Sequence, residues 1–155
     1  MNDIERERTM SLKLPPPVLF MIGIGLITFL PRYNEPVCGW RFVAALFAII
    51  SFIIAGMSVY AFLQKKTTIS PLDLDKTQVL VVHSVYKVSR NPMYLSLVGL
   101  LIAWGMWTAS LSFVIVVWGF IRYLTYFQIL PEERMLEQKF GQVYLSYQQQ
   151  VRRWL

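Results

Sequence analysis

The stretch from Phe42 to Leu63, FVAALFAIISFIIAGMSVYAFL, runs for twenty-two residues without an Asp, Glu, Lys or Arg. A helix needs about 20 apolar residues to cross the hydrocarbon core of a bilayer. The whole chain shares this character, since 55% of its 155 residues are hydrophobic and only 15% are charged. A soluble domain has about 25% charged residues. The sequence therefore predicts an all-α, polytopic membrane protein.

Three other apolar segments accompany this one and differ in length. The segment from Leu111 to about Leu130 is long enough to span a bilayer, whereas Tyr94 to about Thr108 and Val18 to Leu30 are shorter. Val18 to Leu30 approaches the required length only when Leu14 and the prolines 15–17 are added, and proline suits the first turn of a helix rather than its interior. We expect about four transmembrane helices.

The last two apolar segments are separated only by Ala109 and Ser110. No soluble loop fits between them, so they predict a tight helical hairpin. A chain of this length, divided among four membrane segments, has no residues left for a second core. We expect a single domain that covers residues 1–155.

The basic residues predict the orientation, because Lys and Arg accumulate in short loops on the cytoplasmic side. With both termini inside, twelve basic residues lie on the cytoplasmic side, and only Arg32 and Arg41 lie outside. This assignment puts both polar segments, 64–91 and 131–155, at the cytoplasmic face. A multi-pass integral membrane protein with its active site at that face is expected.

Composition also excludes several kinds of site. Cys38 is the only cysteine and His83 the only histidine, so neither a disulfide framework nor a metal centre is expected. The net charge of +6 is explained by orientation in the bilayer, and nucleic-acid binding is not expected.

The first polar segment ends in HSVYKVSRNPMY, residues 83–94. Pro92 is suited to the first turn of the third apolar helix, and Asn91 before it can cap the free amides there. Two interpretations of this motif are equally supported: the start of a helix with tyrosines at the membrane interface, or a functional site.

The second polar segment begins with Pro131, Glu132 and Glu133, which is typical of the amino-terminal turn of a new helix. Both acids can be mere capping residues. Gly141 interrupts this helix and predicts either a bend or a close approach of another segment. An apolar stripe at helical spacing indicates an amphipathic helix that lies on the membrane or caps the bundle; it consists of Leu136, Phe140, Val143, Tyr144, Tyr147 and Val151.

Together, YKVSRNPMY (86–94), the pair Glu132 and Glu133, and FGQVY (140–144) resemble the integral-membrane methyltransferases of the isoprenylcysteine carboxyl methyltransferase and phospholipid methyltransferase group. The resemblance covers residues 67–155. Two departures are Ser84 and Ser96, which stand where that family commonly has glycine.

The resemblance implies an S-adenosylmethionine-dependent methyltransferase of the membrane. The cofactor would be bound without a Rossmann fold, between the last two spans, the loop before them and the carboxy-terminal helix. Residues 1–63 would form a tail and two spans, and residues 64–155 the cofactor-binding part. The acceptor would be lipophilic: a prenylcysteine-like carboxylate, a lipid head group such as a lipid amine, or a small thiol or phenol.

Physical chemistry then suggests roles for the residues of the motifs. The α-ammonium of the cofactor needs a carboxylate, which Glu132 or Glu133 can offer, and its carboxylate needs donors such as Arg90 and Asn91. An aromatic face attracts the sulfonium by about 0.5 to 2 kcal/mol. The expected cofactor-binding residues are Tyr86, Arg90, Asn91, Pro92, Tyr94, Glu132, Glu133 and Tyr144.

Arg122 lies within the fourth apolar segment, where an ionisable side chain is costly and is a functional candidate. Arg122 and Glu133 are therefore the two expected catalytic residues, with Arg122 holding a carboxylate or phosphate of the acceptor. The alternative for Arg122 is that its side chain only reaches toward the membrane interface or pairs with a backbone carbonyl near the cytoplasmic end.

A noncatalytic membrane scaffold, or a small transport subunit that retains the fold, is the alternative from another functional class. Binding of the cofactor distinguishes this alternative from an enzyme.

Overall fold

The computed structural model describes residues 14–30, 38–64 and 80–155. All regular elements in these ranges are helical, which confirms the all-α fold class. The predicted amino-terminal tail, Arg32 and most of the loop after residue 64 lie outside the described residues. The helices are α1 (Pro16–Phe29), α2 (Cys38–Gln64), α3 (Pro92–Trp107), α4 (Phe113–Leu124), α5 (Leu130–Phe140) and α6 (Gln142–Gln150), with a 3-10 helix at Ser84–Lys87 and a π-helical turn at Thr125–Ile129.

Two helical stretches are long and apolar enough to cross a membrane, Gly39–Ala61 and Phe113–Phe140. The apolar helices α1 and α3 have 14 and 16 residues, so they extend about 21 and 24 Å, less than the hydrocarbon thickness of about 30 Å. Large apolar side chains of α2, including Phe42 and Ile49, are exposed. A soluble protein would bury such a helix, whereas lipid covers it in a membrane.

Helix α3 is central, since it packs against α1, α2 and α4. The main core cluster joins Leu101 and Val98 of α3 to Ile27 of α1 and Leu124 of α4. Helices α2 and α3 approach closely, because a Cβ atom added at Gly99 would overlap the Ser51 hydroxyl. Small residues allow such contacts between membrane helices.

Ala109, two residues after the end of helix α3, is left-handed, with φ of 51°. The amide of Ala109 donates to the Met106 carbonyl, and that of Ser110 donates to the Gly105 carbonyl. This pair of bonds satisfies two carbonyls at the end of the helix. Residues 108–112 are all that connect α3 to α4.

The expectation that a separate helix starts at Pro131 is corrected by the structure. Helix runs without interruption through Phe113–Phe140. In a regular α-helix the Pro131 ring would collide with the Phe127 carbonyl, and that carbonyl would lose its donor. The π-helical turn Thr125–Ile129 widens the backbone just before Pro131, so the helix continues instead of breaking.

Gly141 divides the remainder into α5 and α6, as the predicted interruption suggested. Its φ of 52° and ψ of −127° fall in a region that side chains strongly disfavour. After this turn, Tyr144, Tyr147 and Val151 are buried together, whereas Val143 is 66% exposed. Most of the predicted apolar stripe therefore packs within the protein.

Candidate functional site

Four chain segments meet beside the start of α3. They are the loop 83–91, the first turn of α5, helix α6 and residues 151–155. The Tyr147 hydroxyl of α6 donates to the Tyr86 carbonyl of the loop at 2.6 Å. The Arg90 amide of the same loop donates to the Arg152 carbonyl at 3.0 Å. The two polar segments are thereby joined into one site.

Glu133 is at the centre of this site and is only 7% exposed. Arg153 binds it with both ends of its guanidinium, Nε to Oε1 at 2.9 Å and Nη2 to Oε2 at 2.6 Å. Arg90 Nη1 lies 2.9 Å from the same Oε1 atom. The hydrogen bonds to Glu133 raise the pKa of Arg153. Two guanidinium groups face one carboxylate, so this cluster carries one net positive charge.

Arg90 keeps donor capacity that Glu133 does not use. Its Nε and Nη1 atoms are buried, and neither has a hydrogen-bond partner among the described residues. The Nη1 atom forms the 2.9 Å ion pair with Glu133, so the donor left without a partner is Nε. A buried donor without a partner costs about 1–3 kcal/mol. Such an arrangement is suited to an anionic ligand, which would supply the missing acceptors.

The other acid of the pair, Glu132, belongs to a different contact. The Tyr94 hydroxyl of α3 donates to Glu132 Oε1 at 2.6 Å. This short, charge-assisted bond connects the first turn of α5 to the first turn of α3. One residue from each of the two motifs is therefore in direct contact.

Asn91 does not cap α3 as expected. Helix α3 does begin at Pro92, but no side chain caps its first turn. The Asn91 amide group instead donates to the Arg153 carbonyl at 3.0 Å, and the Asn91 backbone amide donates to Ser89 Oγ at 3.2 Å. The Asn91 side chain thus supplies a donor to the backbone of residues 151–155 and helps to fix that segment.

Three tyrosines enclose the site from the side of the loop and α6. Burial raises the pKa of Tyr86, Tyr144 and Tyr147, so all three hydroxyls stay neutral at physiological pH. A hydrogen bond with Ser58 of α2 opposes this rise at Tyr86. The rings of Tyr144 and Tyr147 are 6.2 Å apart and tilted by 52°, a favourable aromatic geometry.

The structure brings together all the residues that the sequence suggested for a cofactor. The contacts described above link the loop residues, including buried Pro92 at the start of α3, to the first turn of α5 and to α6. Tyr144 is close enough to Arg90 and Glu133 for their charges to affect its pKa.

Arg122, the other expected catalytic residue, lies elsewhere. It is on an exposed face of α4, where its Nη2 atom donates to the Tyr126 hydroxyl at 2.9 Å. Its guanidinium carbon is 4.7 Å from the centre of the Tyr126 ring and 5.9 Å from that of Trp118. Arg122 is thus held by aromatic groups of its own helix.

Sequence reasoning gave no role to Arg153 or Thr125. The Trp154 indole donates to Thr125 Oγ1 in the π-helical turn at 3.2 Å, next to the Arg153 contact with Glu133. Only the ending 151–154, already part of the resemblance, could have directed attention to Arg153. Spacing along the chain does not show that this ending returns to α5.

Ser84, a departure from the family pattern, adopts a left-handed conformation with φ of 58°. Glycine takes up this conformation without steric cost. The serine therefore leaves the path of the loop intact at a cost in strain.

Known proteins support the resemblance found in the motifs. The family described as "Phospholipid methyltransferase" matches residues 40–143, which is most of the chain. The chain is also similar to an uncharacterized protein of Haemophilus influenzae, with 48% identity over 63 residues that make up 41% of this chain and 100% of that protein. No solved structure matches significantly.

Proposed function

The chain belongs to the phospholipid methyltransferase family, and from this premise we propose that it is a membrane methyltransferase that uses S-adenosylmethionine and a lipophilic acceptor. The observation that carries the proposal is the buried Arg90 guanidinium within the two matching motifs, whose Nε atom has no hydrogen-bond partner among the described residues. A ligand with a carboxylate would satisfy this donor, and S-adenosylmethionine has one.

The donors and acceptors of the site fit both ends of an amino acid. Arg90 would bind the carboxylate, because the charge of its cluster is positive and its buried Nε atom has no hydrogen-bond partner among the described residues. Glu133 already faces two guanidinium groups. We therefore assign the α-ammonium to Glu132, which Tyr94 orients, and regard Glu133 as the residue that arranges the arginines.

The aromatic residues would surround the rest of the cofactor. Tyr86, Tyr94 and Tyr144 are all buried around the same site, and their rings can pack against adenine or face the sulfonium cation. Because burial keeps the hydroxyls of Tyr86 and Tyr144 neutral, these rings would act by stacking and hydrogen bonding rather than by proton transfer.

When bound, S-adenosylmethionine supplies an electrophilic methyl group for an in-line displacement. The residues of this chain would contribute mainly alignment, since correct positioning of two reactants can lower a barrier by about 7–11 kcal/mol. Buried side chains around the site also exclude water, which would otherwise compete with the acceptor.

The acceptor would approach from the lipid. Arg122 is the cation available on the exposed face of α4, and we propose that it holds the carboxylate or phosphate of the acceptor. The alternative is that its contact with Tyr126 serves only to shield the charge. Substitution of Arg122 by Leu should raise the Michaelis constant for the acceptor; an unchanged constant and rate would exclude this role.

The proposed topology has four transmembrane helices, the third and fourth forming a hairpin, with both termini and the site in the cytoplasm. The two short helices α1 and α3 would then sit in a locally thinned bilayer. Cys38 is the only cysteine and begins α2 on the proposed outer side. An impermeant maleimide should label it in intact cells. A cysteine substituted for Arg6, in a Cys38→Ser background, should react only after permeabilisation, and the opposite pattern would reverse the topology.

The test of function is incubation of the purified protein with labelled S-adenosylmethionine and a membrane lipid extract. We expect label in a lipid-soluble product, and much less of it with the Glu132→Gln variant. Glu137→Gln, an exposed acid on the same helix, is the matched control. A wild-type protein that gives no product and shows no saturable binding of S-adenosylhomocysteine by calorimetry would be a scaffold or transport subunit instead.

A further inference from the structure

The segment 151–155 is anchored at Arg153 itself and at the neighbouring Trp154. Its carbonyl accepts hydrogen bonds from Asn91 Nδ2 at 3.0 Å and from Ser89 Oγ at 3.4 Å. The neighbouring Trp154 indole is bound to Thr125 and packs against the main core cluster. The Arg153 side chain is therefore delivered to Glu133 by a segment with defined anchors.

Arg153 and Arg90 share the same carboxylate unequally. Arg153 uses two donors and contacts both oxygens of Glu133, which is the strong, fork-like pairing of arginine with a carboxylate. Arg90 has an ion-pair distance to one oxygen but no hydrogen bond from its Nε or Nη1 atom. Arg153 thus holds the carboxylate in a fork-like pair, while Arg90 contacts it at one oxygen and keeps its Nε donor.

We propose that Arg153 is a positioning residue that keeps Arg90 available for the carboxylate of the cofactor. By occupying both oxygens of Glu133, it prevents the fork-like pairing of Glu133 with Arg90. This inference rests on the proposed function and deepens it, because it adds a residue that acts on the cofactor through another residue.

The charges of Arg90, Arg153 and Glu133 also indicate that Arg153 keeps Arg90 available for an anion. Two arginines and one glutamate leave a net charge of +1 in the native cluster. Without Arg153 the remaining pair, Arg90 and Glu133, is neutral and can close on itself. If the charge of Glu133 is also removed, Arg90 alone restores +1. The proposal therefore predicts that a second substitution repairs the first.

The experiment compares two ligands by calorimetry on the full-length protein in detergent. S-adenosylhomocysteine has the amino-acid end, and 5′-methylthioadenosine lacks it. The ratio of their affinities measures how well the amino-acid end is bound, whereas binding of 5′-methylthioadenosine alone reports that the nucleoside part of the site is folded. A purely structural role of Arg153 would change both affinities together.

For Arg153→Gln we expect about a 10-fold or greater loss of S-adenosylhomocysteine affinity and less than about a 2-fold change for 5′-methylthioadenosine. Adding Glu133→Gln should recover a large part of that loss. Arg153→Lys keeps the charge but not the fork, so its loss should be smaller. Arg152→Gln, at an exposed neighbour, removes the same overall charge and should change neither affinity.

Equal losses for both ligands, or no loss for either, would overturn the proposal. A selective loss that Glu133→Gln does not repair would mean that Arg153 touches the ligand itself, which also overturns it. If Arg153→Gln does not fold, Arg153→Lys decides, since native selectivity in that variant refutes the need for a fork. A wild-type protein that binds neither ligand would refute the proposed function and this inference together, whereas normal selectivity in all variants refutes the inference alone.

Discussion

Replacing Glu133 by Gln should destabilise the protein more than the same substitution at either of the other two acids of α5, Glu132 and Glu137. The variant leaves the shape of the side chain almost unchanged but exposes two guanidinium groups to each other without a counter-charge. Arg90 has a side chain only 11% exposed, and that of Arg153 is 35% exposed.

The magnitude follows from these exposures. Breaking a fully buried ion pair costs about 3–5 kcal/mol, and a surface pair contributes about 0–1 kcal/mol. Arg90 is close to the first limit, whereas water screens part of the charge of Arg153. We expect a loss of about 2–4 kcal/mol, or a fall in melting temperature of about 5–12 °C for a chain of this size.

Thermal unfolding in detergent, followed by tryptophan fluorescence, measures this loss. Glu137→Gln is the matched control, because Glu137 is one turn further along α5 and exposed; its melting temperature should stay within about 1–2 °C of the wild type. If Glu133→Gln and Glu137→Gln have the same melting temperature, the buried cluster does not contribute to stability as argued.

Three further predictions concern the backbone and one hydrogen bond, each checked by the same unfolding assay. Ser84→Gly should stabilise the protein by about 0.5–1 kcal/mol, because glycine relieves the strain of the left-handed conformation. The control Ser146→Gly, in the middle of α6, should destabilise the protein by a similar amount. Equal effects of the two substitutions would contradict the left-handed conformation of Ser84. Gly141→Ala should cost about 1–3 kcal/mol, since its φ and ψ exclude a side chain; a neutral result would mean that the turn between α5 and α6 can adjust. Tyr147→Phe should cost about 1 kcal/mol through loss of the bond to the Tyr86 carbonyl, and a stable variant would show that water replaces it.

The sequence predicts a helix correctly where the residues of that helix alone determine its position. The run from Phe42 to Leu63 has no charge to interrupt it, and Pro92 marks the start of α3. The break expected at Pro131 failed because tertiary packing overrides the local rule. Leu124, just before the π-helical turn, and Ile129, its last residue, are completely buried, and their packing favours a continuous helix over a break.

The candidate site was predicted as a group of residues but not as a set of contacts. Tyr94 and Glu132 are 38 positions apart, and both are in motifs that the resemblance identified. The contact of Arg153 with Glu133 requires the chain to turn at Gly141 and return after α6. Spacing carries no information on such a path, so the sequence could not show that the oxygens of Glu133 are already occupied.

The π-helical turn changes the angular phase of the helix that contains both expected catalytic residues. Arg122 and Glu133 are eleven positions apart, which in an ideal α-helix would leave them within about 20° of the same face. One extra residue in a single turn rotates everything beyond it by about 100°. The exposed arginine and the buried glutamate can therefore occupy one helix while serving two different environments, and a regular α-helix of the same length would turn the acid toward the exposed side of Arg122.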